Sequence, residues 1–121
     1  MIKAEIKKNE KGDSLILKIR GHAKAAPAGE DIICSAASTL VYTLAQLSLF
    51  FSEQGKLRKK PVIKTEEGEG EIVLKPKKEH YAEVMQAFFF TQVGLSLLAE
   101  NYPSYVKMYA FGKSYGGSKS E

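Results

Sequence analysis

The chain has a single cysteine in 121 residues, so no intrachain disulfide forms and no four-thiolate metal site can be built. Only two histidines accompany it, too few soft ligands for a structural zinc site, and neither a metal nor a cofactor is expected. Long hydrophobic runs are lacking as well. Val41–Phe51 and Phe88–Ala99 are interrupted by Gln, Ser or Thr and are too short to span a bilayer, so no membrane partner is expected. The first residues, Met1-Ile2-Lys3-Ala4-Glu5, alternate charge with apolar character and lack the apolar region of a signal peptide. A soluble, cytoplasmic protein follows as the expectation. Nucleic-acid motifs are missing too. The net charge of +4 comes from scattered groups (Lys7-Lys8, Lys56 to Lys60, Lys75 to Lys78) that are not interleaved with aromatics. Such scatter reads as a solvated surface whose modest positive field favours work near RNA-rich assemblies.

What is present is an ordinary globular composition, 44% apolar and 26% charged, of a size that supports one domain with a real core. Ile2, Ala4 and Ile6 alternate with charged residues, Glu10-Lys11-Gly12-Asp13 supplies turn chemistry, and Leu15, Leu17 and Ile19 alternate again. This predicts a hairpin with one buried face. From Asp31 the period changes: Ile33, Ala36, Ala37, Leu40, Val41, Leu44, Ala45 and Leu47 recur at helical spacing, and Gly55 is a natural stop. A second alternating pair runs from Val62 to Glu66 and from Glu71 to Lys75 around Glu67-Gly68-Glu69-Gly70. A second helix is expected over Glu79–Asn101, with Tyr81, Val84, Met85, Phe88, Phe89 and Leu95 towards the core, and Val106 to Phe111 as a closing strand. The fold class is therefore α/β of the α+β type, a largely antiparallel sheet packed with two long helices, strand-strand-helix repeated. Residues 1–111 are read as a single domain and residues 112–121 as a flexible tail.

The segment that carries chemistry runs from Gly21-His22 to Cys34. His22 falls where the second strand ends, and Cys34 falls near the start of the first helix. With Asp31 as N-cap, Cys34 occupies the first turn, where unsatisfied backbone N–H groups and the helix dipole favour a negative charge. The thiolate is the reactive form of cysteine, and a nucleophile with a neighbouring base is the minimum for acyl transfer. Each residue also has a plain structural explanation: an inert core thiol, a surface histidine, a capping aspartate, turn glycines. Between the two candidates, six of the seven residues Ala23–Gly29 are Ala, Pro or Gly. That composition buries little and suggests a mobile cover, with Gly21 and Gly29 as its ends and Pro27 limiting its conformations.

The string Gly21-His22-Ala23, then Gly29-Glu30-Asp31-Ile32, then Cys34-Ser35-Ala36-Ala37-Ser38 resembles the signature of the Prp family of ribosomal-processing cysteine proteases. Ser35 departs from the alanine more usual there. The order of strands and helices is similar to that family over nearly the whole chain. The resemblance implies a cysteine endopeptidase with a His22–Cys34 dyad. It also implies a substrate, the N-terminal extension of the precursor of large-subunit ribosomal protein number twenty-seven, and a homodimer. In that reading His22 is general base and then acid. Backbone N–H groups at the helix start, including that of Cys34 or Ser35, hold the oxyanion. Asp31 caps the helix or orients the imidazole. Ser38, one turn beyond Cys34 on the same face, contacts substrate or bonds back to the helix. His80 is structural. The competing reading is a non-catalytic ribosome-associated or RNA-binding assembly factor in which Cys34 belongs to the core.

Overall fold

The computed structural model describes residues 1–21, 28–66 and 68–117, without the side chains of residues 28–31. In chain order the elements are β1 (Ile2–Lys8), β2 (Leu15–Arg20), α1 (Ala28–Glu53), β3 (Val62–Glu66), β4 (Glu69–Leu74), a short 3-10 turn (Lys78–His80), α2 (Tyr81–Asn101), β5 (Val106–Ala110) and β6 (Lys113–Gly116). They form one six-stranded sheet in the order β3-β4-β2-β1-β5-β6. Every neighbouring pair is antiparallel except β1 with β5, which is parallel. That exception follows from connectivity. The three hairpins β1–β2, β3–β4 and β5–β6 are made by short turns, but bringing the chain back beside β1 in the same direction needs a long crossover.

Period-2 alternation puts one side chain of each pair into the core. Ile2, Ala4, Ile6, Leu15, Leu17, Ile72, Leu74, Val106 and Met108 are buried on one face. Lys3, Lys18, Arg20 and Glu69 stand exposed on the other. Both helices lie against the buried face. α1 contributes Ile33, Ala37, Val41, Leu44 and Phe51, and α2 contributes Val84, Phe88, Leu95 and Ala99, to a single cluster. The helices approach closely at Gly94, where an added Cβ would lie 2.6 Å from the Leu40 side chain. Two buried hydroxyls, one on each helix, are satisfied within their own helix: Ser48 Oγ donates to the Leu44 carbonyl and Thr91 Oγ1 to that of Ala87.

Four expectations change. First, α1 begins at Ala28 rather than at Asp31, so Asp31 is inside the helix and cannot be its N-cap. Ala28 and Glu30 are good helix formers, which favours an earlier start than the cap at Asp31. Second, the expected tail contains β6. Phe111 and Gly112 turn the chain with φ of 50° and 86°, and Lys113–Gly116 pairs back onto β5. Third, Phe89 is 52% exposed although it sits beside the fully buried Phe88, because adjacent helical positions are rotated by about 100°. Fourth, both helices are long and apolar enough to cross a membrane by length and composition, which the interrupted runs in the sequence concealed. Each has one side on the sheet.

Candidate functional site

The core face of β4 reads Gly70, Ile72, Leu74, and with no side chain at Gly70 the side chains of Ile19 and Val41 close in over it, an added Cβ there lying 3.1 Å from Ile19 Cγ2. Above it, α1 presents small or polar residues in place of the larger ones further along. A cleft of about 120 Å³ results. Its helical wall is Cys34, Ala37, Ser38, Val41 and Tyr42; its opposite wall is the end of β2 (Ile19, Arg20, Gly21) and the tip of the β3–β4 hairpin (Glu66, Gly68, Glu69, Gly70). Ile2 closes one end.

Cys34 is half-buried, packed against the core on one side and open to the cleft on the other. Of the serines named from sequence, the cleft includes Ser38 and leaves out Ser35, whose carbonyl accepts the Thr39 Oγ1 hydrogen bond at 2.9 Å. Tyr42 extends the same helical row by another turn and was not singled out from sequence, although Cys34, Ser38 and Tyr42 follow an i, i+4, i+8 spacing. Arg20, Glu66 and Glu69 were missed for a different reason: they read as strand-end and turn residues, and only the fold brings them to the thiol's cleft. His80 lies elsewhere, 3.7 Å from Glu83 at the start of α2.

Counting from Ala28, Cys34 is the seventh helical residue. Its N–H and that of Ser35 therefore lie in the second turn, where carbonyls four residues earlier take the backbone donors. The oxyanion role expected of these two groups is lost, and the field of the helix start, which falls off within a turn, reaches Cys34 weakly.

Gly21 is the last described residue before His22. Its φ is 90°, its N–H donates to the Gly68 carbonyl at 2.9 Å, and a Cβ on it would lie 2.1 Å from the Met1 carbonyl oxygen. Far from serving as a loose hinge, it is pinned between the chain start and the hairpin tip. It fixes where the chain leaves the cleft wall. His22 and Pro27, with the rest of the expected mobile cover up to residue 27, lie outside the described residues, and Gly29 belongs to α1.

The sequence profile of the family described as cysteine protease Prp matches residues 1–107. No curated protein sequence matches the chain. Among solved structures, the Staphylococcus aureus ribosomal processing protease Prp with a substrate peptide is similar at a TM-score of 0.66 and 20% identity, over 91% of this chain and 99% of that one. The same protease with a covalently linked product peptide gives 0.64 and 21% over the same shares. The Streptococcus mutans protein SMU.848 gives 0.65 and 23%, over 93% and 96%.

Proposed function

The chain belongs to the Prp family of cysteine proteases, and on that premise we propose that it cuts the N-terminal extension from a ribosomal protein precursor, large-subunit protein number twenty-seven, in the cytoplasm during ribosome assembly. The observation that carries the reading is the placement of the chain's one thiol, half-buried and open to a cleft whose wall ends at Gly21, the residue before His22. The Staphylococcus aureus protease has been seen with a substrate peptide and with a covalently linked product, the ligands this chemistry requires.

In the reaction, His22 takes the proton of Cys34 and the sulfur forms a bond to the scissile carbonyl carbon. The tetrahedral intermediate collapses to a thioester as the C–N bond breaks and the imidazolium gives its proton to the leaving amine. Water, deprotonated by His22, then attacks the thioester, releasing the carboxylate and restoring the thiol. With the helix-start field weak at Cys34, the thiolate depends on the imidazolium. Ser38 and Tyr42 line the cleft where the peptide lies. We include a homodimer in the proposal, supported by the apolar outer sides of α1 and α2, where Ile32, Phe50, Phe90 and Leu97 are exposed.

The test is incubation with the extension peptide, read by mass spectrometry. A single cut is expected, absent in Cys34→Ala, whose thermal unfolding should match that of the unchanged protein. Cleavage persisting in that variant at a comparable rate excludes the thiol mechanism. Slow alkylation of Cys34 at neutral pH together with no cleavage favours the assembly-factor reading.

A further inference from the structure

The lip of the Cys34 cleft carries one guanidinium and two carboxylates: Arg20, Glu66 and Glu69. The molecule as a whole is basic, at +4, whereas among the described residues this lip holds more carboxylates than cations. Glu66 and Glu69 are direct cross-strand partners at the end of the β3–β4 ladder, and both are exposed. Like charges directly opposite on a sheet are destabilising. Elsewhere on the same strands carboxylates are neutralised: Glu71 has Lys18 at 3.8 Å and Lys64 at 3.9 Å. Glu66 and Glu69 form no ion pair among the described residues, even though Arg20 is the register partner of Glu69. Two groups that cost hairpin stability sit at the mouth of the cleft. Features that contradict local rules in this way are expected where function requires them.

Their position says what they meet. The same three side chains also border a broader depression of about 630 Å³ on the open face of the sheet. They stand between the two depressions. The cleft floor is apolar, made of Ile2, Ile19, Ala37 and Val41. We propose that Glu66 and Glu69 are specificity-determining residues that select a peptide with Lys or Arg a few residues from the bond that is cut, while the floor takes an apolar side chain. The inference rests on the Cys34 cleft being the peptide site. It suits a substrate that must later neutralise RNA phosphates, because such a chain carries many cations.

Two peptides decide it. Both keep the residues at the cut, and one has every Lys and Arg replaced by Gln; kcat and KM are measured for each at low and at high salt. The unchanged protein should favour the cationic peptide about tenfold in kcat/KM, mainly through KM, as two exposed ion pairs allow, and salt should shrink the preference. Glu66→Gln with Glu69→Gln should bring the ratio to about 1, and Glu66→Lys with Glu69→Lys should invert it. Glu71→Gln, outside the cleft, should leave the ratio unchanged. Neutralising the facing pair should not lower the thermal midpoint, which separates lost recognition from lost folding. A ratio near 1 in the unchanged protein, or one that survives the double Gln substitution, overturns the proposal while leaving the protease intact. A protein that cuts neither peptide overturns the peptide-site reading and this inference with it.

Discussion

At the scale of single residues, the thiol of Cys34 stands on a boundary, half against the core and half in the cleft. A buried thiol would be inert and a fully exposed one would lack walls to hold a peptide. Cys34 lies beyond the first turn of α1, and in the proposed mechanism its activation falls to His22. His22→Ala should therefore slow peptide cleavage by about a hundredfold or more, and the alkylation rate of Cys34 near pH 7 should fall with it. Superimposable alkylation profiles for variant and unchanged protein would show that the two residues do not act together. Gly21 supplies an independent check on how the base is delivered. Any side chain there meets the Met1 carbonyl and must also adopt a positive φ. Gly21→Ala should destabilise the fold by about 1–3 kcal/mol in chemical denaturation and slow cleavage beyond that loss. A variant as stable and active as the parent would mean that the chain leaves β2 differently.

At the scale of elements, β6 is held by one residue in the way the cleft wall is held by Gly21. An added Cβ at Gly116 would lie 2.4 Å from the Val106 carbonyl oxygen and 2.6 Å from that of Ala99, and its φ is 71°. Gly116→Ala should thus cost about 1–3 kcal/mol and expose the edge of β5 to amide exchange, without touching Cys34. Unchanged protection in β5 would contradict that packing. Little in Gly112–Gly117 announces such a strand, since Tyr115 is its one apolar side chain and the Gly, Ser and Lys around it read as a tail until the fold supplies β5 as a partner. The other elements were legible because their apolar residues repeat at 2 or 3.6. The start of α1 was not: Asp31 is a preferred cap and the alanines before it carry no pattern, so propensity and capping pointed to different residues. In the site, Cys34 and Ser38 could be read along the chain. Glu66, Glu69, Gly70 and Arg20 could not, because strands distant in sequence bring them to Cys34.

At the scale of the whole molecule, the two faces of the sheet are treated differently. One is open and charged, the other covered by helices that are apolar on both of their sides. Phe90 is 75% exposed and Leu97 56%, with Phe89 and Val93 between them on the outer side of α2. A depression lined by Ala36, Thr39, Leu40, Leu97 and Leu98 continues that surface onto α1. Contiguous exposed apolar side chains of this kind mark an interaction surface. Helices of 26 and 21 residues, roughly 30–40 Å long and side by side, offer enough face for the ~800 Å² per partner of a standard interface. The proposed second copy would lay its own α1 and α2 there, burying the phenylalanines in an interface that resembles a core cut in half. Phe90→Asp together with Leu97→Asp places two charges in the middle of that contact, where no partner awaits them. Sedimentation should then show the dimer of the unchanged protein replaced by a monomer, with far-UV circular dichroism unaltered, since both side chains point away from the sheet. Alkylation of Cys34 should stay at the parent rate, because the cleft lies on the other side of α1. A parent protein that sediments as a monomer, or a variant that remains dimeric, would remove the helices' outer side as the contact between copies.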